Sequence, residues 1–428
     1  MPNRLLSRLP SLNLPSLNPR HLSDLRGATR LAADATLGLA DLVEALHERI
    51  ATLPGTAQDG RMTGILGITG LVYKSIRGVT RIVGGSLDGL LAAVGMLTPM
   101  LPTTGEPVSR EREAMLAALN GVFGDHLEAS ANPLATPMSL RHEGRALTST
   151  STSALALDAA SLQAALPGAT GRLVLLVHGL CMNDLQWRRQ SSEDQHDHGA
   201  MLARELGFTP VYVRYNSGRA VHRNGAELAG LIDPLLAAWP VPLQRVLLLG
   251  HSMGGLVLRS ALHQGALAGQ AWPGRVNELV CLGTPHHGAP LERAGHGLDT
   301  VLGAAPYAAP LARLGKVRSA GITDLRHGNL LPPRHAANGR LLPPASVPLP
   351  AHISSYALAA QLGDGADALK GRLLGDGLVP VASALGRHAR PARTLAFPAG
   401  HQAVLHGMSH MSLLGRAEVA DQLLRWLR

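Results

Sequence analysis

Val246-Leu247-Leu248-Leu249-Gly250-His251-Ser252-Met253-Gly254-Gly255-Leu256-Val257-Leu258 is the stretch from which the rest of the chain can be read. Four apolar residues, β-branched at the start, predict a buried strand, and the apolar run after Gly255 predicts a helix. Between them stands G-x-S-x-G, the pattern in which a serine sits on a sharp strand-to-helix turn. Such a turn holds the serine backbone in a strained conformation, so its flanking positions need residues without side chains. Ser252 is therefore the candidate nucleophile.

Working outward, strand and helix patterns alternate. Strands are expected at 172–177, 210–215, 246–249, 277–282, 353–359 and 394–397, and helices at 199–206, 225–238 and 412–427. A hairpin is expected over Met138 to Leu147 with its turn at Glu143-Gly144. Alternation of this kind predicts an α/β protein with a mostly parallel sheet covered by helices on both faces. Its binding site belongs at the carboxyl ends of the strands.

A serine hydroxyl is a weak nucleophile until a base takes its proton, and that base needs an acid to orient it. The chain has 20 histidines, so residue type alone selects none. Chain order does better, because in this kind of sheet the acid and then the histidine follow the serine. The loop after the expected last strand holds His401, His406 and His410; we take His410, with His406 as the alternative. For the acid we take Asp376, in the glycine-flanked turn Gly375-Asp376-Gly377, where backbone N–H groups can hold a carboxylate ionised. Asp364 is the alternative. The developing oxyanion calls for two backbone N–H donors: Met253 supplies one by position, and Leu180, in the loop His178-Gly179-Leu180, is assigned the other.

Four segments, HGL at His178, GHSMGG at Gly250, GTPHHGAP at Gly283 and GDGLVP at Gly375, followed by His410, resemble the α/β-hydrolase superfamily and within it the bacterial lipases and esterases. The resemblance covers Pro133 to Arg428. It implies an α/β-hydrolase sheet and hydrolysis of apolar acyl esters through an acyl-enzyme intermediate, with Ser252, Asp376 and His410 as catalytic triad. Related secreted lipases often hold calcium with aspartates near the histidine loop. Between Asp376 and His410 this chain has no further Asp or Glu, so no metal and no cofactor is expected. His196-Asp197-His198 reads as a solvated loop, since alternate residues do not share a helical face.

Composition narrows the alternatives. Hydrophobic residues make up 46% and charged residues 16%, as in a globular chain, and aromatic residues only 3%, which argues against stacking on bases or sugars. The formal charge of +9 is spread along the chain, and only three of the 39 cations are lysines (Lys74, Lys316, Lys370), so no nucleic-acid tract stands out. Cys181 and Cys281 read as buried thiols. No signal peptide or spanning segment is evident, which makes a cytoplasmic protein the expectation.

Residues 1–132 read as a leader and helical extension, and 133–428 as the catalytic domain with a lid or cap insertion at 285–350. Within the extension, Thr29 to Ile50 and Ser109 to Phe123 are expected helices, the latter ending at Gly124. Residues 61–101 are glycine-rich and apolar, with Lys74, Arg77 and Arg81 on one helical face. A helix pair packed on the catalytic domain is the favoured reading, and an anchor to membrane or to a hydrophobic particle the competing one. With that anchor, a polyester depolymerase of the polyhydroxyalkanoate type becomes the alternative function. An acyltransferase and a non-catalytic binding protein on the same fold complete the alternatives.

Overall fold

The computed structural model describes residues 23–34, 110–147, 159–188, 196–289, 319–336, 345–363 and 375–428, with 338, 340 and 342 besides. The expected segment 61–101, most of the helix expected over 29–50, and Asp364 lie outside the described residues. The chain divides into two compact units, Met1–Pro107 with Ala129–Leu134, and Val108–Glu128 with Ala135–Arg428. In the first, helix α1 (23–34) is held to the 129–134 segment. The Asn132 amide donates to the Gly27 carbonyl at 3.0 Å, and Arg30 donates to the Ala131 carbonyl at 3.1 Å.

The second unit opens with α2 (Arg110–Ala129) and the hairpin β1 (Ser139–His142) and β2 (Arg145–Ala146). Its turn falls at Glu143 and Gly144, both with positive φ, as the sequence predicts. After α3 (Ala159–Ala165) come β3 (Arg172–Val177), α4 (His198–Leu206), β4 (Thr209–Arg214), α5 (Val221–Ala237), β5 (Arg245–His251), α6 (Met253–Leu267) and β6 (Glu278–Leu282). Then follow α7 (Ala320–His327), β7 (Ser354–Gln361), α8 (Val381–Ala384), β8 (Gln402–His406) and α9 (Ala417–Leu427). The eight strands form one sheet in the order β2-β1-β4-β3-β5-β6-β7-β8. Pairing is antiparallel on both sides of β1 and parallel from β4 through β8.

Register decides where chemistry can occur. Val177 pairs with Gly250, Gly250 with Cys281, Leu282 with Leu358, and Gln361 with His406. The carboxyl ends of β3, β5, β6, β7 and β8 are therefore brought to one edge, and the loops that follow them share it.

Alternation along the strands explains why the sheet is covered twice. Val174, Leu176, Leu247, Leu249, Val280, Leu282 and Leu358 pack with Met201 and Leu202 of α4 and with Val419, Leu423 and Leu427 of α9. The intervening Leu173, Leu175, Leu248, Leu279 and Cys281 are just as deeply buried, which requires cover on the other face. There α6 packs on β3, β5 and β6 and pairs with α5. Each such leucine contributes about 1.5–3 kcal/mol of burial, so the central strands anchor the site rigidly.

Three expected elements differ. Residues 394–397 are not a strand: a 3-10 turn (Pro391–Arg393) leads into irregular chain, and the last strand is β8. Pro391 and Pro398 deny that stretch ladder donors, and Leu395 and Phe397 pack instead with Ala357 and Ala359. Helix α2 runs through Gly124 to Ala129. The final helix begins at Ala417, after a 3-10 turn over His410–Leu414. Among the described residues no helix is long and apolar enough to cross a membrane.

Candidate active site

Ser252 stands between the last residue of β5 and the first of α6, with φ 54° and ψ −123°. A non-glycine residue rarely adopts that conformation, and it persists only where the surroundings impose it. They do so here: the Ser252 N–H donates to the Leu282 carbonyl at 2.8 Å, tying the turn to the end of β6. A side chain at Gly254 would collide with the carbonyls of Val177 and His178, and one at Gly250 with the backbone of Gly254 and Gly255. The glycines of the motif are thus a consequence of α6 pressing on the sheet edge.

His410 follows β8, in the turn that starts at Ser409. Its Nδ1 lies 2.7 Å from Asp376 Oδ2, and its N–H donates to the Asp376 carbonyl at 3.0 Å. The other carboxylate oxygen, Oδ1, accepts the N–H groups of Leu378 and Val379 at 3.0 and 2.8 Å. Asp376 is 2% exposed, and three donors meet its two oxygens. A carboxylate so held can orient an imidazole without moving. His406 is exposed at the end of β8. His401 is taken up elsewhere, with Nδ1 3.2 Å from the Ser355 carbonyl and its ring stacked on Tyr356.

The loop after β3 completes the arrangement. His178 is fully buried, with Nδ1 2.8 Å from the Gly179 carbonyl and Nε2 accepting the Tyr215 N–H at 3.4 Å. The carbonyl can only accept, so Nδ1 carries the proton and the ring is neutral; burial pushes its pKa down to about 4. The Tyr215 hydroxyl donates to the His178 carbonyl at 2.8 Å, and the two rings stack with centroids 4.3 Å apart. Beyond Leu180 the backbone turns through Cys181, at φ 59°, whose N–H donates to Ser217 Oγ at 3.0 Å. Among the described residues neither the Leu180 nor the Met253 N–H has an acceptor within the chain.

These groups line one pocket. Gly179, Leu180, Met182, Gln186, His251, Ser252 and His410 are joined by Ala289, Leu325, Leu378, Val379 and Met411, around about 490 Å³ that includes space open to solvent. Ser252, Asp376, His410 and Leu180, picked from scattered segments, are brought to the same edge of the sheet.

Two contributions had no signal in the sequence. One is α2, which braces the first loop from behind. Gly121 lets it approach the Cys181 backbone, and the Asn183 side chain donates to the Glu113 carbonyl at 3.0 Å. Glu113 also pairs with Arg214, which pairs with Asp184, which in turn meets Arg141 Nε at 3.0 Å. The other is His251, whose ring packs against that of His410. Residues of the GTPHHG segment serve packing: Arg259 of α6, its pKa lowered to about 10 by burial, meets His286 Nδ1 at 3.1 Å and the Val347 carbonyl at 2.5 Å.

Residues 168–347 match the family model "PGAP1-like alpha/beta domain". A comparison with curated proteins finds none that matches. Among solved structures the chain is similar to the mature lipase BlEst2 of Bacillus licheniformis, at 20% identity over 60% of this chain and 91% of that one, with a TM-score of 0.38. A thermophilic esterase of Thermogutta terrifontis is 16% identical over 61% and 90%, with a TM-score of 0.34. The RedJ thioesterase of Streptomyces coelicolor is 16% identical over 61% and 91%, with a TM-score of 0.35. By its strand order, its strained serine turn and the family model that covers that turn, the chain has an α/β-hydrolase fold.

Proposed function

We propose that the chain is a serine carboxylic-ester hydrolase acting on apolar acyl esters. The observation that carries this reading is the buried pair of His410 Nδ1 and Asp376 Oδ2 at 2.7 Å, whose His410 lines the same pocket as a strained Ser252. Ser252 Oγ adds to the ester carbonyl carbon while its proton passes to His410 Nε2. The carbonyl oxygen, now negative, accepts the N–H groups of Leu180 and Met253. Collapse breaks the bond to the alcohol oxygen, which leaves with the proton from His410. Water then repeats the sequence on the acyl-Ser252 ester, giving the acid and free Ser252. Asp376 holds the Nδ1–H throughout.

The walls support that substrate class. Leu180, Met182, Ala289, Leu325, Leu378, Val379 and Met411 offer an apolar surface to an acyl or alkyl chain. Intact mass after treatment with an organophosphonate esterase probe tests the reading. One adduct is expected on the wild type and none on Ser252→Ala, whose ester turnover falls by on the order of a million-fold. An adduct that persists in Ser252→Ala, or turnover near that of wild type, would overturn it.

A further inference from the structure

The residue before the serine carries more than a strand end. His251 is wholly buried, and its imidazole lies between the two loops that the reaction requires to be in register. On one side its Nε2 is 3.2 Å from the backbone carbonyl of His410. The carbonyl can only accept, so Nε2 carries the proton. Its ring also rests on the His410 ring, with centroids 4.8 Å apart and planes tilted by 46°. On the other side a Cβ placed on Gly179 would stand 3.2 Å from His251 Nδ1 and 3.0 Å from Ser252 Cβ, so the loop before Leu180 runs directly against both. The ring of Trp187, itself fully buried, closes the third side in a T-shaped contact with centroids 6.3 Å apart.

We propose that His251 is a positioning residue. Its imidazole is the spacer that sets the Gly179-Leu180 loop against the His410 loop, and its Nε2–H fixes the backbone of His410 so that the ring stays between Asp376 and Ser252. Because the same residue is the last of β5, the spacer is rigid with respect to the serine. Loss of the Nε2 donor frees the His410 carbonyl and lets the base drift while the apolar walls stay in place. The defect then falls on kcat and leaves KM alone, and a displacement of about 1 Å is worth on the order of 100-fold. The kinetic part of this inference rests on the hydrolase reading above; the hydrogen bond does not.

Two amide substitutions separate the nitrogens. His251→Gln carries an NH2 to the place of Nε2, whereas His251→Asn reaches only the place of Nδ1. With a soluble chromogenic ester, His251→Asn is expected to lose on the order of 100-fold in kcat at unchanged KM, and His251→Gln to recover most of it. Phosphonate labelling of Ser252 is expected to slow by the same factor in the Asn variant. Equal kcat in wild type and both variants, or equal loss in both with native melting temperatures, would overturn the proposal. The wild-type protein supplies a test independent of turnover and of variant folding. ¹⁵N-labelled imidazole spectra at about pH 7 should show His251 protonated at Nε2 only. The Nδ1–H tautomer would overturn the proposal even in an active enzyme, and Nε2–H in an inactive one would leave the contact standing while the hydrolase reading fell.

Discussion

A methyl group is enough to test why the serine motif is rich in glycine. At Gly254 it would meet the Val177 and His178 carbonyls, both backbone and unable to swing aside. Gly254→Ala should therefore push α6 away from β3, displacing Met253 N–H and the Ser252 turn together. The expected outcome is a folded protein with a lowered melting temperature and little phosphonate labelling; wild-type labelling would show that the turn tolerates the shift. His410→Ala should abolish turnover while His406→Ala leaves it near wild type, because only His410 meets a carboxylate among the described candidates. Residue by residue, much of this was legible. Gly375-Asp376-Gly377 announces a carboxylate in a turn with free N–H groups, and the Leu378 and Val379 N–H groups are those donors. His251 was not legible, since its role depends on a backbone carbonyl 159 residues further along the chain. No local pattern encodes such a contact.

At the level of elements, the insertion after β6 reads from sequence as either a moving lid or a fixed cap. Its described part is clipped at several points. Asp324 on α7 accepts the Val221 N–H at 2.8 Å, capping α5, whose own N-cap Ala220 has no side-chain acceptor. Ser319 Oγ donates to the Gly121 carbonyl at 2.7 Å, Ser260 Oγ to Leu330 at 2.7 Å, and Arg259 to Val347. Leu325, which lines the pocket from α7, is thereby tied to α2, α5 and α6. Asp324→Ala should cost about 0.5–2 kcal/mol, the range for a lost helix cap, read as a shift in the urea midpoint. It should also raise KM for long acyl esters more than for short ones, and an equal effect on both would place Leu325 outside the acyl site. The elements misread from sequence share a cause. Thr394-Leu395-Ala396-Phe397 has strand-like residues, yet β8 is the polar-ended Gln402–His406, because pairing with β7 is decided by tertiary contact and not by propensity. Gly124 resembles a helix stop but sits inside α2, where its bare Cα admits Asn216 and Gly218.

Across the larger unit, the chain has placed charges and titratable groups at buried and half-buried positions. Glu113 and Asp184, both buried, meet the partly buried Arg112, Arg141 and Arg214 in a cluster that ties α2, β1 and β4 to the loop beside the pocket. Glu113→Ala leaves Arg214 and Arg112 with one partner fewer in a half-buried setting and should cost about 1–3 kcal/mol, as measured by urea unfolding. A loss below about 1 kcal/mol would mean that water enters the cluster. Buried histidines set the response to acid. Burial lowers the pKa of His178 from 6.5 to about 4, and it lowers those of His198 and His286 as well. The folded form therefore resists protonation that the unfolded chain accepts, so the unfolded state binds more protons between those values. Stability is full above about pH 6.5 and is lost as pH falls toward 4. For His178 alone the loss amounts to about 3 kcal/mol. His178→Asn keeps a donor for the Gly179 carbonyl but cannot titrate. It should be less stable than wild type at neutral pH, yet lose stability more gradually on acidification, the two urea-midpoint curves converging between pH 6.5 and 4. Parallel curves would mean that the ring is already hydrated in the native state, and that the neutral His178 does not hold the loop after β3.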